Sequence, residues 1–312
     1  MPSPYSTLKQ RLDNGDIIIL DGATGTELQR RGVDMDPAAW CGVASLANQQ
    51  TLTEIHADYI AAGAEVVTAN TFATSRVVLA QAGYGDQVEE INRAAVEAAL
   101  HAREEAGSPE VVVAASLSHM VYLASDREPE PMPSEAEAAD AFFEQAEILK
   151  AAGAELILLE MMYHPTRIPQ ALAAARATGL PVWFGLSARA SAEGRMLSYH
   201  DNAEIPLSRI VELIPASGID AAGCMHTGAE ITGAVLAEIR RRFKGPLLAY
   251  PDSGYFEMPD WHFHDVIAPA RLESFYLDWL EDGVQIIGGC CGLTIGHVKA
   301  AVRARDRYQS AL

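Results

Sequence analysis

Two cysteines stand side by side in "IIGGCCGLTIGH" (286–297), in a chain that has four cysteines altogether. A disulfide between sequence neighbours forces strained geometry, so Cys290 and Cys291 read better as joint partners of something external, and a metal is the obvious candidate. Soft thiolates select zinc, whereas magnesium and calcium prefer oxygen. A catalytic zinc uses three protein ligands and leaves a fourth position open. Cys224 is the expected third ligand, although it lies far outside any zinc-finger spacing. Three anionic sulfurs make zinc a poor activator of water, but they suit a substrate thiol that loses its proton on binding and keeps enough electron density to attack carbon. The chemistry expected is thiol alkylation from a cationic donor. Against this stands the plainer reading that the cysteines are small buried hydrophobes.

For distant thiols to meet, the chain must bring strand ends to one rim. Eight short apolar runs recur: "IIILDG" (17–22), "EVVTAN" (65–70), "VVVAAS" (111–116), "LILLEM" (156–161), "VWFGLS" (182–187), "DAAGCM" (220–225), "PLLAYP" (246–251) and "VQIIGGC" (284–290). Continuous apolar runs mark strands buried on both faces, as in a parallel sheet. The sixth is weak alone. Alanine-rich stretches at 50–63, 86–107, 134–153 and 269–283 read as helices, several ending in Gly, and "SEAE" at 134–137 offers a Ser N-cap with Glu three residues on. "AAGAE" occurs at 61–65 and 151–155, each time before a strand. Eight β/α units in 312 residues predict a single α/β domain spanning 1–312, a (β/α)8 TIM barrel. "SDREPEPMPSEAE" (125–137) is expected as a long loop after the third strand, with a lid as one role.

A barrel of this kind gathers its chemistry at the C-terminal strand ends. There the sequence places Asp21, Asn70, Glu160, Cys224 followed by His226, Asp252, and the Cys290–Cys291 pair. Asp21 and Glu160 could hold a substrate ammonium, or form a buried ion pair or helix cap. His119 and His226 could touch substrate or be structural. A zinc hydrolase needs ligands of the His/Asp kind and a general base beside bound water, and no such His pair is present.

A net charge of −19 argues against a nucleic-acid surface. No apolar run approaches the length of a membrane span, and no secretory signal is read at the N-terminus, so a soluble cytoplasmic protein is expected. Oligomeric state is left open.

Several motifs together resemble the homocysteine S-methyltransferase family, whose members include betaine- and S-methylmethionine-dependent enzymes. They are "LDGATGTELQRRG", "HADYIAAGAEVVTANTFATS", "ELILLEMM", "YPDSGY" and above all "IIGGCCG". The resemblance runs almost end to end. It implies a Zn2+ barrel that takes homocysteine and a methyl donor as small-molecule substrates, with Cys224, Cys290 and Cys291 as zinc ligands and Asp21 and Glu160 on the amino acid's ammonium. Gly22 would lie near the substrate carboxylate, and Trp40 would face a cationic donor unless it is ordinary packing. Cys41 matches no ligand. Three departures stand out. Gly223 replaces an Asn, Asp252 makes "PDSG" of the usual "PNSG", and "ASLSHMVYL" replaces "GSIGPYG". The function implied is methyl transfer from a sulfonium or quaternary ammonium donor to homocysteine, giving methionine. The alternatives are another thiol or selenol acceptor, or a thiol-binding protein that has lost methyl transfer.

Overall fold

The structure, a computed structural model, describes residues 2–121, 132–200, 203–256 and 262–311. Eight parallel strands are β1 (Ile18–Ile19), β2 (Val66–Ala69), β3 (Val112–Ser118), β4 (Leu156–Met162), β5 (Val182–Leu186), β6 (Ala221–Gly228), β7 (Leu247–Asp252) and β8 (Val284–Ile287). They pair in the order β1-β8-β7-β6-β5-β4-β3-β2. A parallel bridge from Leu20 to Val66 joins the two ends of that order. The expected (β/α)8 barrel is therefore present, and the weak sixth run is its longest strand at 8 residues.

Continuous apolar runs are needed because each strand buries both faces. Ile18, Val112, Leu156, Trp183, Leu248 and Ile286 pack inside the barrel, while Ile19, Val113, Ile157, Phe184, Ala249 and Ile287 pack under the helices. The repeated "AAGAE" does one job twice. Gly63 and Gly153 end their helices with φ of 105° and 103°, where a side chain would be strained. The glutamate that follows then accepts a backbone N–H from the neighbouring strand, Glu65 from Ile19 and Glu155 from Val113, each at 3.0 Å.

An N-terminal helix, Pro4–Asp13, seals the lower end of the barrel. Leu8 and Leu12 join the interior cluster, and the Tyr5 hydroxyl donates to Asp220 at 2.7 Å while accepting from Trp183 Nε1 at 3.1 Å. Replacing Tyr5 by Phe strands a buried indole N–H, so denaturant unfolding should show a loss of about 1–3 kcal/mol. Of the expected loop at 125–137, residues 125–131 lie outside the described residues. Beyond them the capping box forms as read, with Ser134 N donating to Glu137 Oε2 at 2.8 Å and Glu137 N to Ser134 Oγ at 3.2 Å. Among the described residues no helix is long and apolar enough to cross a membrane.

Candidate metal centre

Alternation along β6 sends Ala222 and Cys224 toward the helix layer and Ala221 and Met225 into the barrel. Gly223 and its β5 partner Gly185 leave the room Met225 and Tyr250 occupy. A Cβ at Gly185 would lie 2.6 Å from the Tyr250 hydroxyl, and one at Gly223 would lie 1.8 Å from the Leu248 carbonyl oxygen. Strict alternation would turn His226 outward with Cys224. It does not, because the pairing with β7 slips between Met225 and Gly228 and His226 adopts a φ of 43°. Such bulges re-aim side chains, often beside active sites.

Re-aimed, His226 meets the tandem cysteines. Its Nδ1 lies 3.6 Å from Cys290 Sγ, and the two sulfurs are 3.8 Å apart. All three ligand atoms fall within 4.8 Å of one another. The turn carrying the thiols is pinned to the end of β7, with Cys290 N donating to the Pro251 carbonyl at 2.8 Å and Ser253 N to the Cys291 carbonyl at 3.0 Å. Gly292 completes it at a φ of 77°, where a Cβ would strike the Ser253 carbonyl.

Cys224, expected as the third ligand, lies on β6 two residues before His226 and outside that 4.8 Å group. It is fully buried in the layer between sheet and helices. Burial pushes its thiol up to about 12, and the Asp252 carboxylate adds to the rise. The sequence offered His226 only as a rim residue, because the bulge that turns it inward has no signature in the run of side chains.

Two sulfurs and one nitrogen fit a zinc ion. With Zn–S near 2.3 Å and Zn–N near 2.05 Å, a tetrahedron has edges of about 3.75 Å between sulfurs and about 3.6 Å between sulfur and nitrogen. The spacings of 3.8 and 3.6 Å match the sulfur–sulfur edge and one of the two sulfur–nitrogen edges. Electrostatics also call for a cation. The adjoining Cys291 thiol and burial push the Cys290 thiol well above its ordinary value, so two thiolates would not coexist there alone.

The homocysteine S-methyltransferase family model matches residues 18–305. The chain belongs to the homocysteine S-methyltransferase family. An Escherichia coli homocysteine S-methyltransferase is 32% identical, covering 97% of this chain and 100% of the relative. Betaine–homocysteine S-methyltransferase 1 of Danio rerio is 26% identical over 93% of this chain and 73% of its own. Among solved structures, the oxidized form of the homocysteine methyltransferase MmuM from Escherichia coli superimposes with a TM-score of 0.74 at 27% identity, covering 97% and 100% of the two chains. The metallated form of that protein gives 0.72 at 24% identity, over 98% and 100%.

Two carboxylates of this homocysteine S-methyltransferase family chain are buried at the same mouth. Asp21 accepts from Thr68 N at 2.7 Å and from Thr68 Oγ1 at 3.0 Å. Burial raises it to about 8, against the Thr68 hydrogen bonds, and the charge of Glu160 adds to the rise. Glu160 accepts from Ser116 Oγ at 2.5 Å, and burial raises it to about 7. A bulge after Leu159, with Met161 at a φ of 53°, accompanies Glu160 as the other accompanies His226. Two carboxylates, each raised by burial, leave a place suited to an added cation.

The remaining expected residues take distinct places. At Gly22 a Cβ would lie 2.6 Å from the Leu293 carbonyl, so the residue lets the first and last strand loops touch. Trp40 packs edge-on to Phe72 with centroids 6.4 Å apart. Beside it Cys41 is buried, its thiol donating to Asn70 Oδ1 at 3.1 Å, which makes it structural. His119 is structural too, accepting from Tyr163 N and His164 N at 2.9 and 3.0 Å.

Proposed function

We propose that this chain is a zinc-dependent homocysteine S-methyltransferase that moves a methyl group from a sulfonium or quaternary ammonium donor to homocysteine, giving methionine. The observation that carries the reading is the convergence of His226, Cys290 and Cys291 within 4.8 Å at a barrel mouth that also holds two buried carboxylates. Cys290 and Cys291 would hold the metal with Cys224 as the third ligand, and His226, with Nδ1 3.6 Å from Cys290 Sγ, stands beside them. Zinc held there would supply a Lewis acid that lowers the pKa of the substrate thiol so that it reacts as a thiolate at neutral pH.

The chain's own residues bind and orient. Asp21 and Glu160 take the acceptor's ammonium, with Thr68 and Ser116 fixing each carboxylate so that its remaining lone pairs face the mouth. Gly22, beside Asp21, gives the acceptor's carboxylate close approach to backbone. Trp40 offers an aromatic face to a methylated cation. As the sulfur attacks the methyl carbon, the bond from that carbon to the donor's positive sulfur or nitrogen breaks, and the donor leaves neutral. No protein base is required. Residues 1–312 act as one homocysteine-binding domain, in the reducing cytoplasm that keeps the four free cysteines reduced.

Zinc-loaded protein incubated with homocysteine and a panel of S-methylmethionine, betaine and S-adenosylmethionine should form methionine from at least one donor. Methionine from none would overturn the assignment in favour of a thiol-binding protein without methyl transfer.

A further inference from the structure

Tyr250 stands on β7, paired with Met225 of β6, and its side chain runs into the barrel interior. The residue is 2% exposed, yet its hydroxyl oxygen has no hydrogen-bond partner among the described residues. A buried phenol usually finds a partner, and leaving that bond unmade is a cost to the fold. A packing role needs no hydroxyl at all, since Phe would fill the same space.

A glycine fixes where that hydroxyl sits. The point where a Cβ would stand on Gly185 is 2.6 Å from the Tyr250 hydroxyl and 3.1 Å from the carbonyl oxygen of Leu159, the residue before Glu160. The phenol therefore reaches across the barrel, from β7 past β5 to the upper part of β4. Burial raises it well above its ordinary value and the charge of Glu160 adds to the rise, so it keeps its proton and can only donate to an anion. On Glu160 itself, burial is opposed first by Ser116 and then by Tyr250, each as a hydrogen-bond donor. The Ser116 bond is made, at 2.5 Å, while the phenol is within reach and poised. An ionised carboxylate accepts several donors, so the second does not compete with the first.

We infer that Tyr250 is a positioning residue for the acceptor's amino group: its hydroxyl donates to Glu160 as that carboxylate takes the ammonium. The inference rests on the acceptor reading above and adds to it a donor from across the barrel. Tyr250 acts through Glu160, so its value is tied to the ammonium and not to the thiol.

The test separates those two groups with two ligands, homocysteine and mercaptobutanoate, which keeps the thiol and carboxylate and lacks the ammonium. Dissociation constants are measured by calorimetry on zinc-loaded protein. Tyr250→Phe should weaken homocysteine about 10-fold and mercaptobutanoate less than about twofold. With Glu160→Gln already in place, the same change should weaken homocysteine less than about twofold, because the carboxylate it serves is gone. The hydroxyl has no partner to lose, so the Phe variant should melt no lower than native protein. Equal losses on both ligands would make Tyr250 a packing residue or a partner of the thiol. No loss on homocysteine, or a loss that persists beside Glu160→Gln, would detach it from Glu160. Each of these outcomes overturns the inference and leaves the acceptor site standing. Native protein that binds neither ligand would overturn the acceptor reading and the inference with it.

Discussion

Alanine at position 290 or 291 should empty the metal centre, and alanine at 224 and at 226 identifies the third ligand. With Cys224→Ala, zinc affinity is expected to fall by at least about 100-fold, beyond the 10- to 100-fold typical of losing an outer partner, and methionine formation should disappear. Cys290→Ala and Cys291→Ala should do the same, since each removes one of the three atoms within 4.8 Å. His226→Ala should keep one zinc per chain, since the imidazole stands beside the three sulfurs rather than among them. Zinc analysis of the four purified variants decides the point. If Cys224→Ala kept zinc and His226→Ala lost it, the imidazole turned inward by the β6 bulge would be the third ligand instead.

Asp21 and Glu160 should show the second large effect, and it runs in opposite directions for function and stability. Their folded pKa values, about 8 and about 7, lie above those of exposed carboxyls. The native state therefore holds protons that the unfolded chain has released. Stability from this source is complete below about pH 4, the range of the unfolded groups, and is lost as pH rises through 7 and 8. Asp21→Asn and Glu160→Gln remove that loss, so metal-free variants should be more stable than native at pH 8, by on the order of a few kcal/mol, with the gain absent at pH 4. An acceptor's ammonium needs those charges, and kcat/KM for homocysteine should drop about 10- to 100-fold. A sulfur-free amino acid of similar length isolates the ammonium from the metal. Calorimetry in buffers of differing ionisation enthalpy should show native protein releasing protons on binding it at pH 7, and Asp21→Asn releasing fewer. Unchanged proton release would remove Asp21 from the ammonium site.

Most of the scaffold was legible because parallel strands buried on two faces must be continuous apolar runs, and "VVVAAS" or "LILLEM" can be little else. Even "DAAGCM" became convincing once counted as one of eight. The tandem cysteines were legible for a related reason, since two thiols on adjacent residues have few structural uses. What stayed hidden was which way a side chain faces at the top of β6. Facing follows parity along a strand, and parity gives Cys224 and His226 the same side. The slipped pairing between Met225 and Gly228 breaks that rule, and it is a property of two strands together. Asn70, marked as a strand-end polar group, proved to hold the Trp40–Cys41 loop, its amide donating to the Cys41 carbonyl at 2.8 Å.

Closure of the barrel also dictates when the site can exist. The first strand pairs with the last, Ile18 with Ile286, and Gln285 reaches back across 273 residues to the Leu12 carbonyl of the sealing helix. During synthesis, Pro4–Asp13 and β1 emerge early and wait for a partner made almost at the end, a high-contact-order step that is intrinsically slow. Cys290 and Cys291 follow directly on that last strand. Asp21 and Glu160 are made long before the metal-binding thiols, so a nascent chain can carry the amino-acid end of the site but not its reactive end. Metal loading therefore reports on completion, because zinc finds its full set of ligands only on a chain whose ring has closed.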